Sequence, residues 1–351
     1  MKKVIFALAA VVALAACSQE DVIVADKGAA IGFDTFVGKA TRVDDPSLTN
    51  TNLANFGVFG TVSKAETALI FDNVKVTGSG VGANANWSYD SKFTQYWIAG
   101  AKYNFAAVAP YGAYENAVFS TTDLNTKLDF TNNAETDLLY AQSVEITGKE
   151  GAGAGAATPA NGKVAFTFRH LLSKVKFSFE NQYLSSGSTI AVRNILLTNA
   201  HKTASVTLDA DNTVWDKHAT AANNDFIILF GDAETVNDNN LEDIAQGEEL
   251  ESYNVRFIIP GAKHTYTVSF EVDVLYGTTV VETYKHTASL EFTPAVGTAY
   301  DIKTVIDHTN IDPDHAQEPI LFTVNEINDW DNGNTKDSDD TDTENDYYPL
   351  N

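Results

Sequence analysis

The sequence predicts an all-β protein of the sandwich type. Apolar residues alternate with period two nearly everywhere from residue 29 onward, and no stretch shows the period of a long amphipathic helix. The alternating runs are short and are separated by turns rich in Gly, Asn and Asp, which is typical of antiparallel sandwiches. The run from Tyr266 to Val274 is the clearest case, because one face is apolar and the other carries Thr, Ser, Glu and Asp.

The first half of the chain contains six candidate strands with this alternation. They are NFGVFGTV (55–62), ALIFDNVKV (68–76), NWSYD (86–90), FTQYWIAG (93–100), KYNFAAVAPY (102–111) and DLLYAQSVEI (137–146).

The second half alternates more regularly. Its candidate strands are KVAFTF (163–168), KVKFSFE (174–180), Val255 to Ile259, Tyr266 to Val274, TYKHTASLEF (283–292), YDIKTVID (300–307) and PILFTVNEI (319–327). The phase of the alternation slips at RHLLS (169–173), between the first two. Because one extra residue turns every following side chain to the other face, the slip predicts a break between two strands.

Composition divides the chain into consecutive parts. A Gly/Ala-rich stretch without apolar periodicity (148–162) separates the two sets of strands and predicts a linker between an N-terminal domain (43–147) and a C-terminal domain (163–330). A long hairpin loop within one domain is the alternative for this stretch. Residues 331–351 are acidic and almost without apolar side chains, which predicts a flexible, solvated tail.

The N-terminus has the pattern of a bacterial lipoprotein signal. Lys2 and Lys3 precede a short apolar run, and small residues lead into Cys17 in the sequence LAAC. We therefore expect residues 1–16 to be a signal peptide, Cys17 to be lipidated, and 17–28 to form a tether to the outer membrane. Cys17 is the only cysteine, so no internal disulfide is possible.

Charge excludes some partners. The chain has 47 acidic and 23 basic residues, a formal net charge of −24, which disfavours nucleic acid and anionic lipid headgroups. The glycine run after residue 150 matches neither a dinucleotide-binding nor a P-loop spacing. The cluster from Asp307 to His315 matches no metal template, although a metal there stays open. These observations indicate a protein that is not an enzyme and has no cofactor.

Nine aromatic residues cluster between Trp87 and Tyr114. Most aromatic residues with this distribution belong to a sandwich core. The alternative is a surface on which sugar rings stack, with Trp87 and Trp97 as its contact residues. This alternative would make the protein a permanently lipid-anchored, glycan-binding surface protein.

The stretch AAIGFDTFVGKATRVDDPSL (29–48) places a strand at the front of the mature chain and an arginine directly behind it. Ile31, Phe33 and Val37 have the spacing of one strand face. Arg42 is one of only four arginines, and the other three lie in predicted strands.

Several stretches resemble the fimbrillin family, the lipoprotein precursors of type V pilus subunits of Bacteroidota. They are the lipobox at Cys17, IGFDTF…ATR, FGVFG, YW…YNFAAVAPY, DLLYAQS…VAFTFRHLLSKVKFSF, NILLTN and FTVNEINDW. The resemblance implies two tandem transthyretin-like β-sandwich domains of about seven strands each.

The resemblance also implies a function for the first strand (29–42). An arginine-specific protease at the cell surface would cut between Arg42 and Val43, and a strand from another pilus subunit would fill the vacated groove. A cut at Lys39 is the alternative. The product would be an adhesive extracellular pilus, and shaft, anchor and tip positions all remain open. The acidic tail is a poor donor strand, so YYPLN (347–351) or a rearranged PILFTVNEI would have to serve.

Overall fold

This computed structural model describes residues 29–37, 48–49, 52–79, 86–148, 162–183, 187–217, 226–232, 245–252, 254–311 and 318–327. The regular secondary structure of the described part is almost entirely strand, which confirms the predicted all-β class. The first half contains β1 (Gly32–Val37), β2 (Asn55–Ser63), β3 (Thr67–Ser79), β4 (Asn86–Tyr89), β5 (Lys102–Ala109), β6 (Glu115–Phe119), β7 (Thr126–Thr131), β8 (Leu139–Gln142) and β9 (Ile146–Thr147).

The second half contains twelve strands and one helical turn within its described ranges. These are β10 (Lys163–His170), β11 (Ser173–Asn181), β12 (Ser188–Ala200), β13 (Thr203–Leu208), β14 (Thr213–Lys217), β15 (Phe226–Gly231), β16 (Glu249–Glu251), β17 (Arg256–Ile258), β18 (His264–Tyr276), β19 (Thr279–Phe292), β20 (Ala299–Ile306), α1 (His308–Ile311) and β21 (Thr323–Ile327).

The strands form four sheets. An eight-stranded sheet has the order β1-β10-β8-β5-β2-β3-β4, with β9 beside β5. A five-stranded sheet has the order β16-β11-β20-β21, with β17 beside β11. Two four-stranded sheets have the orders β15-β12-β18-β19 and β14-β13-β7-β6. The last of these sheets joins strands from both halves of the sequence.

Three apolar cores lie between these sheets. The eight-stranded sheet curls around the first core, to which both of its end strands contribute. Its opposite face contributes Phe59 and Val108 to a second core, which also contains residues of β7 and β13. The third core lies between the five-stranded sheet and the sheet of β12, β15, β18 and β19, which is a sandwich arrangement.

The phase slip at 169–173 marks the passage from one sheet to another. β10 ends at His170 in the eight-stranded sheet, and β11 begins at Ser173 in the five-stranded sheet. Leu171 and Leu172, between them, are both buried in the second core. The predicted break is therefore confirmed, whereas the domain limits 43–147 and 163–330 stay predictions.

Two of the predicted strands differ most from the observed ones, whose bounds otherwise shift by a few residues. The stretch 93–100 is not a strand; it contains the end of a 3-10 turn (Ser91–Phe93) and a single bridge at Tyr96. Its alternation is misleading because Tyr96 and Ile98 are exposed and Gly100 has a φ of +71°. The predicted strand at 137–146 is two short strands, β8 and β9.

His286 makes the stability of the third core sensitive to pH. It lies on the inward face of β19, and its ring stacks on Phe270 with centroids 5.2 Å apart. Burial lowers the pKa of His286 from its usual 6.5. The unfolded chain therefore binds the proton first, so this contribution to stability is complete above pH 6.5 and falls as the pH drops below it.

We expect His286→Phe to reduce the loss of stability between pH 7.5 and pH 5.5. The measurement is the midpoint of urea unfolding at the two pH values. His308→Gln, a change at an exposed histidine, is the matched control and should keep the wild-type slope. Equal slopes in all three proteins would contradict the prediction.

Candidate functional site

The candidate site is β1 and the surface that holds it. β1 is an end strand of the eight-stranded sheet and pairs with β10 in parallel, from Gly32 opposite Lys163 to Val37 opposite Phe168. An end strand has one ladder partner, so half of its backbone groups need other partners. β1 therefore depends on contacts outside the ladder at its other edge.

Several backbone contacts fix the start of β1. The Ile31 N–H donates to the Gln95 carbonyl (2.9 Å), and the Trp97 N–H donates to the Ala29 carbonyl (3.1 Å). The Tyr89 hydroxyl, from β4, donates to the Ile31 carbonyl at 2.6 Å. Because β4 is the opposite end strand of the same sheet, this bond joins the two ends of the curled sheet.

The Tyr89 hydroxyl keeps its proton in this position and can therefore donate a hydrogen bond. Burial raises the pKa of Tyr89 above its usual 10.0, so the phenol stays protonated throughout the physiological range. A buried phenol needs a polar partner, and the Ile31 carbonyl supplies one. The bond ties a residue of the core to the backbone of the first strand.

Two side chains of β1 and its approach enter the first core. Ile31 and Phe33 are each 1% exposed. The ring centroid of Phe33 lies 5.3 Å from Phe71, 5.7 Å from Tyr89, 6.0 Å from Phe105 and 5.8 Å from Phe166. These four rings come from β3, β4, β5 and β10, so Phe33 lies where the curled sheet closes.

The opposite face of β1 contributes little to the core. Phe36 is 52% exposed, and Asp34 accepts from the adjacent Thr35 N–H at 3.1 Å. Val37 pairs through its backbone with Phe168. The predicted buried face is thus observed at Ile31 and Phe33, while the side chain of Val37 lies outside the described residues.

A buried polar pair holds Leu48, the first described residue after β1. Asp137 Oδ2 accepts from the Leu48 N–H at 2.9 Å and is 2.8 Å from His170 Nδ1. The side chains of Asp137 and His170 are 0% and 2% exposed. Within the described ranges, the other oxygen of Asp137 has no hydrogen-bond partner. This pair fixes residue 48, six residues after the predicted cut.

The three arginines in described strands are held by their surroundings. Arg169 donates to the carbonyls of the turn at 209–212, and its guanidinium lies 5.1 Å from the Tyr140 ring centroid. Arg193 contacts the buried carboxylate of Asp273 at 2.6 Å. Arg256 donates from Nε to the Leu229 carbonyl at 2.8 Å. All three arginines also lie in hydrogen-bonded strands. Proteases rarely cut such strands, because a protease binds its substrate as an extended backbone that is not already paired.

Cys17, Arg42 and Val43 lie outside the described residues, as do Lys39 and the acidic tail. Lipidation and cleavage at these positions therefore stay predictions. In the cluster from Asp307 to His315, residues 312–317 are also outside. No group of three or more His, Cys, Asp or Glu side chains in the described ranges is arranged to hold a metal ion.

Trp87 and Trp97 lie in the first core rather than on a stacking surface. Their exposed fractions are 9% and 6%. The Trp87 ring packs edge-on against Phe56 at 4.9 Å, and the Trp97 indole N–H donates to the Gly162 carbonyl at 3.2 Å. A sugar ring needs an accessible indole face, so these two residues do not offer the surface that the glycan-binding alternative requires.

Sequence reasoning did not find Tyr89, Asp137 and His170 as parts of this site. Tyr89 was one of nine clustered aromatics, and nothing local distinguishes its hydroxyl from the others. Asp137 at the start of DLLYAQ and His170 within the phase slip RHLLS are polar residues beside buried leucines. Such a polar residue beside a buried run is a usable signal, because a buried polar group needs a partner.

Together, the four sheets and their cores define an all-β protein in which the first described strand lies at the end of its sheet and contributes to the core. A family model for fimbrillin-like proteins matches residues 41–330, and the chain belongs to this family. No curated protein matches the chain. Among the described residues, no helix is long and apolar enough to cross a membrane.

Solved structures share the fold. A fimbrial protein from Bacteroides vulgatus is 16% identical with a TM-score of 0.53, over 85% of this chain and 98% of that chain. A proposed cell adhesion protein from Bacteroides uniformis is 15% identical with a TM-score of 0.50, over 86% of this chain and 98% of that chain. At these identities the likeness concerns the fold alone.

Proposed function

We propose that this protein is the precursor of a surface pilus subunit that serves adhesion. It is exported as a lipoprotein through Cys17, cut between Arg42 and Val43, and polymerised when a strand from another subunit replaces β1. The observation that carries the proposal is that β1, the first described strand and an end strand of its sheet, places Phe33 in the core together with Ile31, the residue directly before it. Membership in the fimbrillin-like family supports it.

Removal of β1 would leave a specific vacancy. Ile31 and Phe33 each contribute roughly 1.5–3 kcal/mol when buried. Their loss exposes an apolar slot, and the edge of β10 loses its row of backbone partners. Such an edge is a template for β-strand addition.

This arrangement delays assembly until processing. While β1 is present the slot is filled, so subunits can travel to the surface without pairing. Insertion of a strand from one subunit into the next is a head-to-tail contact that does not close, so it produces a filament. The lipid on Cys17 would hold the precursor at the outer membrane and would leave with residues 17–42 on cleavage.

The engaged arginines support a single cut. Arg169, Arg193 and Arg256 are held in strands by carbonyl or carboxylate partners. Arg42 follows the last described residue of β1 by five positions, in a polar stretch that contains a proline. An arginine-specific protease therefore has one favoured substrate position in the folded precursor.

Limited trypsin digestion of the soluble protein starting at Ser18 tests the proposal. We expect one early cut, with intact masses that identify Arg42 rather than Lys39, followed by heat-sensitive multimers on unboiled gels. Arg42→Gln is the matched control and should remain uncut and monomeric over the same period. The proposal fails if Arg42 is cut and no strand is released, or if the linker at 149–161 is cut first.

A further inference from the structure

The direction and chemistry of the strand that can occupy the site follow from how β1 is held. The β1 slot consists of the edge of β10 with which β1 pairs, together with the rings of Phe71, Tyr89, Phe105 and Phe166. Its walls belong to strands that remain after cleavage at Arg42. The slot therefore keeps its chemistry when its occupant changes.

The backbone contacts define a polarity and a register. β1 runs parallel to β10, and parallel and antiparallel ladders place their hydrogen bonds differently. On the side away from β10, Ile31 makes two hydrogen bonds. Its carbonyl accepts from the Tyr89 hydroxyl, and its N–H donates to the Gln95 carbonyl. A strand shifted by one residue would turn its apolar side chains away from the core.

The side-chain contacts define an aromatic position. The Phe33 ring is nearly parallel to that of Phe166, at 17°, and meets Phe71 and Phe105 edge-on, at 77° and 76°. Offset stacking and edge-to-face contacts both require a flat ring in the middle. An aliphatic side chain would lose these contacts, and alanine would leave a cavity.

The position between the two buried residues is narrow. A Cβ built on Gly32 would lie 3.1 Å from Cγ of Lys163, closer than normal van der Waals contact. Lys163 is the first residue of β10, directly opposite Gly32 in the ladder. A bulky residue at this position therefore displaces the lysine stem at the start of the pairing.

We propose that the β1 slot is selective for an extended strand that runs parallel to β10 and carries an aliphatic residue, a small residue and an aromatic residue in that order. The Tyr89 hydroxyl bonds the carbonyl of the aliphatic residue, and the aromatic ring takes the place of Phe33. This inference rests on the proposed function, in which β1 is replaced by a strand of another polypeptide. It adds the rule by which the incoming strand is chosen.

Exchange of peptides into the processed protein tests the rule. The protein is cut after Arg42, and labelled peptides covering residues 29–39 compete with the resident strand while fluorescence anisotropy records binding. The native peptide and a Phe36→Ala peptide should bind equally, because Phe36 is on the exposed face. A Phe33→Ala peptide should bind roughly 100-fold more weakly or worse. A reversed-sequence peptide and one with a glycine inserted after Ile31 should not enter.

Replacing Tyr89 by Phe in the protein tests the hydroxyl contact separately. This change removes one hydrogen bond and should weaken binding of the native peptide roughly 2- to 10-fold. Tyr111→Phe, at a partly exposed ring, should leave the binding affinity unchanged. If the native, Phe33→Ala and reversed peptides bind with equal affinity, the proposed selectivity of the β1 slot is wrong, whereas the proposed replacement of β1 by another strand is not contradicted. If the native peptide never replaces the resident strand, the removable-strand function fails, and the rule fails with it.

Discussion

The uncut protein carrying Phe33→Ala is expected to lose about 3–5 kcal/mol of unfolding free energy. Phe33 is fully buried, and its ring contacts four aromatic rings from four different strands. Those strands are fixed in the sheet and cannot close around the void. The cost should therefore lie at the upper end for a core phenylalanine. Urea unfolding of the uncut protein, monitored by tryptophan fluorescence, measures this loss of unfolding free energy.

Phe36→Ala is the matched control on the same strand. Its ring is 52% exposed, so we expect a change within about 0.5 kcal/mol. A second comparison separates the strand from the rest of the fold. Once residues up to Arg42 have been cut and removed, the wild-type and Phe33→Ala chains are identical and should unfold alike. A loss of stability for Phe33→Ala below 1 kcal/mol would show that the strand is only loosely packed.

The second large effect is expected at the buried polar pair. Asp137→Ala should cost about 2–6 kcal/mol, because it leaves two buried groups, the His170 ring and the Leu48 N–H, without their shared acceptor. The pair also ties Leu48, which follows the predicted cut site, to β10. The variant should therefore show faster hydrogen exchange at Leu48 as well as a lower urea midpoint.

Asp72→Ala, at an exposed aspartate of β3, is the control for loss of one acidic residue and should be nearly neutral. A double-mutant cycle with His170→Ala measures the pair itself. We expect a coupling free energy of about 0.5–3 kcal/mol between the two residues. Additive effects would mean that Asp137 acts only through Leu48.

Local alternation was enough to predict the all-β class, most of the strands and half of the site. Ile31 and Phe33 have the spacing of a buried strand face, and the slip after Phe168 marks the change of sheet. Pairing partners were not predictable in the same way. β7 and β13 are neighbours although the Gly/Ala-rich stretch lies between them in sequence. Nothing within either six-residue segment specifies the other.

The polar part of the site depends on contacts between residues far apart in the chain. Tyr89 meets Ile31 across 58 positions, and Asp137 meets Leu48 across 89. Sequence patterns report the face on which a residue lies and not the group that it bonds. The stretch 93–100 shows the opposite error, because Phe93, Tyr96 and Ile98 are exposed loop residues and only Trp97 of its apolar side chains enters the first core.

The parallel pairing of β1 has a consequence for the order of folding. Gly32 leaves the ribosome and the export machinery early, but its ladder partner, Lys163, emerges more than a hundred residues later. Contacts between such distant residues form slowly, because a long loop must close first. The first strand to reach the outside is therefore among the last to be seated. The rest of the eight-stranded sheet can form before β1 pairs with β10, so the β1 slot exists before β1 fills it.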